Sequence, residues 1–300
     1  MSAPQDSQTG LKLGLISIGV VMLAFCGLFL FGPAPTKPVI AQDQSTTSTR
    51  LLDVLEDAPT RAAVEALRAA APATYAQLDN MAVFALNDGA TPQDLSYIVL
   101  QALFGELQAQ ALSMRSAQSA DYQAIMAGLA EGLRQLKSQQ SVWCEGERIS
   151  TYLAQDDSEL VPSLLAEFPY GSAQYDWAMA WMKTILTVAK RAQDRPQRYQ
   201  RPGFRDETVL QETGLALGSE QWALGLQIFA FANAEGVSYA KMQEAVSNIN
   251  VCDLGIAIET VSERLPTDVR ARIWADLMPE IMVGNTPYVM WRVNDYFFIG

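Results

Sequence analysis

The chain has 300 residues, 49% of them hydrophobic and 18% charged, which is apolar enough for a sizeable core and excludes a disordered polypeptide. Its net charge of −12 repels phosphate backbones, so nucleic acid is not an expected partner. It contains no histidine and only three cysteines, with no C-x-x-C pair. This excludes Ser-His-Asp and Cys-His nucleophiles, His-ligated zinc and a Cys-only structural zinc site, leaving no expected cofactor or metal.

Residues 1–12 form a polar N-terminal tail, and Leu13 to Gly32 reads LGLISIGVVMLAFCGLFLFG without a charge. Twenty helical residues rise about 30 Å, the thickness of a hydrocarbon core, so residues 13–32 are expected to be a single transmembrane anchor. A cleaved signal peptide fits less well, because the apolar run is long and the Val39-Ile40-Ala41 site lies nine residues beyond it. Phe25 before Cys26 argues against a lipoprotein. Lys12 on one side and Lys37 on the other give little positive-inside contrast. The default for a short tail puts the N-terminus inside and the domain on the periplasmic, extracytoplasmic side of the inner (cytoplasmic) membrane.

Residues 33–48 are a Pro/Thr/Ser-rich linker, expected to be extended, with Gly32 to Thr47 reaching at most about 50 Å. Residues 49–300 keep 19 cations against 31 anions and read as one acidic α-helical domain. The expected fold class is all-α: a multi-helix globular domain of about nine to eleven helices behind the anchor. Thr91-Pro92-Gln93-Asp94 marks a helix start, with a capping hydroxyl, a proline at the first helical position and an acid in the first turn. Ser172, Ser219, Ser238 and Thr267 precede apolar-periodic runs in the same way. Gly and Pro punctuate the chain near 59, 72, 88–92, 162, 171, 202–203, 218, 236 and 266.

Tyr122, Ile125, Met126, Leu129, Leu133 and Leu136 form one apolar stripe, and Val269, Ile273, Trp274, Leu277 and Ile281 another. The segments Tyr175 to Ala189 and Trp222 to Ala232 are apolar round most of their circumference, so both are expected at the middle of a bundle. Their aromatic and methionine side chains read as core packing rather than a ligand pocket.

Two features carry candidate chemistry. Cys144 and Cys252 are the thiols outside the anchor, and in an oxidising compartment they are expected to pair, closing 108 residues. Lys190 to Arg205 (KRAQDRPQRYQRPGFR) packs Lys190, Arg191, Arg195, Arg198, Arg201 and Arg205 into sixteen residues, opposed only by Asp194, with Tyr199 and Phe204 interleaved. It reads either as a solvated loop paired with the domain's own acids or as a loop for an anionic partner.

The carboxylates form no legible catalytic pair. Glu145 and Glu147 would diverge on a helix, and Asp156, Asp157 and Glu159 read as the acidic first turn of a helix. The aromatic C-terminus from Pro287 to Gly300 reads as a final core element or a docking arm. The functional expectation is therefore a tethered binding protein: an adaptor, scaffold or accessory subunit of an envelope complex, with a protein partner there. The alternatives are a His-free, carboxylate-dependent cell-wall (glycan-cleaving) enzyme and a cytoplasm-facing sensor domain. The sequence leaves the oligomeric state open.

Overall fold

The computed structural model describes residues 50–148, 165–220 and 250–285, together with 162, 288–289 and 292. The described chain is predominantly helical, and it contains no strand; a lone antiparallel bridge joins Glu145 to Asn250. Its α-helices are α1 (Leu51–Val54), α2 (Ala58–Ala70), α3 (Pro72–Asn87), α4 (Pro92–Ala109), α5 (Ser119–Ser138), α6 (Ala173–Asp194), α7 (Phe204–Glu220), α8 (Val251–Arg264) and α9 (Thr267–Met282). Two 3-10 turns, Ala111–Ser116 and Val142–Cys144, break the series. Among the described residues no helix is long and apolar enough to cross a membrane. The apolar segment 13–32 lies outside them, as do Trp222 to Ala232, Ser238, Asp156, Asp157 and Glu159.

Local chemistry sets several helix starts. The Thr91 hydroxyl accepts from the Asp94 N–H, and the Asp94 carboxylate accepts from the Thr91 N–H at 2.8 Å, a reciprocal capping box. Ser172 caps α6 through the Tyr175 N–H. Thr267 differs from its expected capping role. α9 begins on Thr267 itself, with Pro266 at the cap and no side-chain hydrogen bond there. The Thr267 carbonyl instead accepts the Ser119 hydroxyl of α5 at 2.9 Å. The expected helical relation of Glu145 to Glu147 is also replaced, because Glu145 stands in the bridge to Asn250.

The core is built around α5 and α6. Every residue of the expected α5 stripe is buried, as is every one of the α9 stripe. α6 packs against α2, α4, α5 and the Ala111–Ser116 turn, which makes it the central helix of the described chain. It is not apolar all round, since Ala180, Lys183 and Thr187 face solvent. α8 packs on α5, while α9 packs on α5 and the Ala111–Ser116 turn.

The α5–α6 contact is close and antiparallel. The Trp177 indole N–H donates to the Gly128 carbonyl at 2.8 Å, and the Trp181 indole N–H to the Ile125 carbonyl at 2.9 Å. The two indoles stack with centroids 6.1 Å apart. Gly128 and Gly132, one turn apart on α5, provide the flat floor on which these rings lie. Trp181 is buried and Trp177 half-buried here, and the contact satisfies their polar N–H groups as well as covering their apolar faces.

Cys144 and Cys252 are bonded, with Sγ–Sγ 1.99 Å and Cα atoms 4.9 Å apart. The bond ties the Val142–Cys144 turn to the start of α8, beside the Glu145–Asn250 bridge. At the C-terminus, Val289 is fully buried and Arg292 donates to Asp276 of α9 at 2.7 Å. This part of the expected aromatic element therefore lies against the helical core, and the rest of it lies outside the described residues.

Candidate functional site: an arginine strap

The basic stretch leaves α6 because Pro196 disfavours the helical region for Arg195, whose backbone turns to φ −140°, ψ 65°. From there to Gly203 the chain is neither helix nor strand. Its course is nonetheless fixed. The Gln197 N–H donates to the Ser116 carbonyl at 2.9 Å and the Tyr199 hydroxyl to the Ala117 carbonyl at 2.8 Å. Tyr122 of α5 donates its hydroxyl to the Met114 carbonyl of the same 3-10 turn. Gln193 reaches Gln110 and Ser113. Burial, and next the Asp121 charge, pushes the Tyr199 phenol above its ordinary value, so it remains a neutral donor at neutral pH.

The far end is clamped by Asp206. Its carboxylate accepts the Gly203 N–H at 3.1 Å and a bidentate Arg272 guanidinium at 2.6 and 2.9 Å. Burial works to raise the Asp206 carboxyl. The Arg272 and Gly203 hydrogen bonds with the Arg272 charge outweigh it and hold the carboxyl below its ordinary value. Arg272 also holds Asp268, at 2.9 Å. The strap is thus pinned along its length to the Ala111–Ser116 turn and at its end to α9.

Its cations divide into two groups. Lys190 pairs with Asp194 at 2.6 Å, and Arg191 pairs with the buried Asp121 at 2.9 Å. These two follow the solvated-loop reading. Arg195, Arg198, Arg201 and Arg205 are exposed and make no ion pair among the described residues. Arg195, Arg198 and Arg201 recur every third residue. Tyr199 and Pro202, also three apart, are the half-buried and buried positions.

Phe204 follows directly and is 74% exposed. Leu112, on the turn that carries the strap, is 71% exposed. On a 3-10 turn residues three apart eclipse, so Leu112 shares a face with Arg115, which pairs with Glu280 of α9 at 2.9 Å. Leu112 and Arg115 stand about eighty residues from the strap in sequence, so nothing in their neighbourhood signalled that their turn carries it.

Two other polar groups stand out among the described residues. Burial raises the Glu259 carboxyl, and Arg134 opposes that from 2.8 Å across the α5–α8 contact, so Glu259 is tied up in an interhelical ion pair. Burial, then the Asp57 charge, raises the Asp176 carboxyl, whose Oδ1 is buried with no hydrogen-bond partner. Asp57 itself caps α2 through the Thr60 N–H. No group of three or more Cys, Asp or Glu side chains converges as a metal-binding set among the described residues. Comparison with family models, with curated proteins and with solved structures found no match to this chain.

Proposed function

We propose that the chain is a membrane-anchored, extracytoplasmic helical binding protein, an adaptor, scaffold or accessory subunit of an envelope complex, and that the strap holds its anionic partner. The observation that carries the reading is the row Arg195, Arg198, Arg201 and Arg205: four exposed guanidiniums that make no ion pair among the described residues, on a backbone that is pinned in place. On a domain with 31 anions, four unneutralised arginines in eleven residues make a local reversal of field. A pinned backbone presents them at little further cost in ordering when the partner arrives.

In this reading residues 13–32 are the single transmembrane helix and residues 33–48 the leash. The Cys144–Cys252 bond supports an oxidising, extracytoplasmic compartment. The glycan-cleaving alternative needs a free raised carboxyl; Glu259 carries an arginine, which leaves Asp176 as the carboxyl that reading would use.

A photo-crosslinking residue placed at Gln200 of the full-length chain in cells tests the binder. A discrete adduct is expected, and it disappears when Arg195, Arg198, Arg201 and Arg205 are all replaced by Gln with folding intact. An identical adduct pattern in the two proteins rejects the strap as the site. Topology is tested with a membrane-impermeant maleimide: labelling of Cys144 and Cys252 in intact, outer-membrane-permeabilised cells only after reduction fits the proposal. Labelling without reduction, and only after the inner membrane is breached, places the domain in the cytoplasm.

A further inference from the structure

We propose that the strap's anionic partner is the lipid surface itself: Arg195, Arg198, Arg201 and Arg205, with Phe204 and Leu112, form a docking patch for the anionic head groups of the bilayer that holds residues 13–32. This rests on the strap reading above and names the chemistry of its partner.

Three observations favour a lipid surface over an acidic protein. The first is composition. Phe204 follows the arginines and Leu112 stands on the turn that carries the strap; they are the large apolar side chains most exposed among the described residues. An acidic peptide would satisfy the guanidiniums and leave these two in water. An anionic bilayer accepts both, because aromatic and aliphatic groups settle at the interface while arginines meet phosphates. The second is geometry. Four exposed arginines along one pinned segment, on the turn that carries Leu112, suit an array of repeated anions.

The third is reach. The chain between residue 32 and the first described residue, Arg50, spans at most about 60 Å, which keeps the patch close to one membrane at high effective concentration. The remaining surface is acidic and is repelled by that membrane, so the strap also fixes which way the domain faces. Arg191 takes no part, because Asp121 already holds it.

The test uses the full-length chain in nanodiscs, where both faces are open. Trypsin cuts after Arg198 and Arg205, while Pro196 and Pro202 protect the bonds after Arg195 and Arg201. Discs of phosphatidylcholine are compared with discs in which about a third of the lipid is phosphatidylglycerol, using cleavage after Arg50 as the internal reference. Phosphatidylglycerol is expected to slow both strap cuts by at least about fivefold, and about 0.5 M salt to restore them. The variant Arg195→Gln/Arg201→Gln/Phe204→Ser, which keeps both cut sites, is expected to lose the protection.

Polyglutamate added to phosphatidylcholine discs separates the failures. Protection by polyglutamate but not by phosphatidylglycerol overturns the lipid inference and leaves the strap as an anion site for a protein. Protection by neither overturns both.

Discussion

Trp177 lies across Gly132 so closely that a Cβ on Gly132 would fall 1.9 Å from its Cε2 atom. Such an approach forces either the Trp177 indole to turn away, losing its bond to Gly128, or one of the two helices to move. Gly132→Ala is expected to destabilise the chain by about 1–3 kcal/mol or more through overpacking, despite alanine's better helix propensity. Urea denaturation of wild type, Gly132→Ala and Gly132→Ala/Trp177→Leu checks it. The double variant should cost less than the sum of its parts, since the clash needs both side chains; strict additivity would show that the contact is not what limits the position.

The Asp206–Arg272 clamp makes the fold sensitive to acid with a definite sign. The Asp206 carboxyl is held below its ordinary value of 3.8 in the folded chain. Its contribution to stability is therefore fully present above that pH and is lost as pH falls through the lower folded value. Asp206→Asn should lower stability at pH 7 and flatten the acid limb of a stability-versus-pH curve below about pH 4. An acid limb unchanged in the variant would assign the titration to other carboxylates.

Glu259 has the opposite sign. Burial raises its carboxyl, so the folded state prefers the protonated form, and its contribution is present at low pH and lost as pH rises through the folded value. Its partner Arg134 is about half exposed and stays hydrated without it. Glu259→Gln should therefore change stability at pH 7 by no more than about 1 kcal/mol. A loss of several kcal/mol in thermal or chemical denaturation would show that the ion pair holds α5 to α8.

Within the strap the two kinds of arginine should separate cleanly. Replacing Arg195, Arg198, Arg201 and Arg205 together by Gln is expected to leave stability within about 0.5 kcal/mol, because they are exposed and make no ion pair among the described residues. Arg191→Gln strips the partner from Asp121, which is 4% exposed, and should cost about 1–3 kcal/mol. Equal thermal shifts for the two variants would contradict this division.

Removing the disulfide tests a different kind of stabilisation. In the chain-entropy picture a 108-residue loop is worth about 4–5 kcal/mol, so Cys144→Ser/Cys252→Ser should unfold at markedly lower urea than the bonded chain. Reduction of the wild-type protein should reproduce the shift. Coincident unfolding curves for bonded and reduced protein would mean that the denatured chain gains little freedom from losing the bond.

What the sequence disclosed follows from the range over which each signal acts. The α5 stripe and the caps at Thr91 and Ser172 are set within one or two helical turns, so periodicity and capping chemistry located them. The Ala111–Ser116 turn was not foreseen, since no glycine or proline marks it. Its carbonyls and that of Ala117 after it are taken by Tyr122, Gln197 and Tyr199, two of which arrive from about eighty residues away. The glycines of α5 have the same character. In sequence Gly128 and Gly132 look like weak points of a helix, and only the arrival of Trp177 and Trp181 makes them necessary. The strap was legible as a basic run, but which of its cations remain unpaired depends on Asp121, some seventy residues upstream.

The bond between Cys144 and Cys252 closes a covalent ring, and α6, the strap and α7 all lie inside it. A protease that nicks the exposed strap opens this ring without severing the molecule. The fragments on either side of Arg198 stay joined through sulfur, and α8 and α9 stay attached to α5. Such a chain would run as a single species without reductant and as two pieces with it, and a cut at the binding row would retune the domain without releasing it.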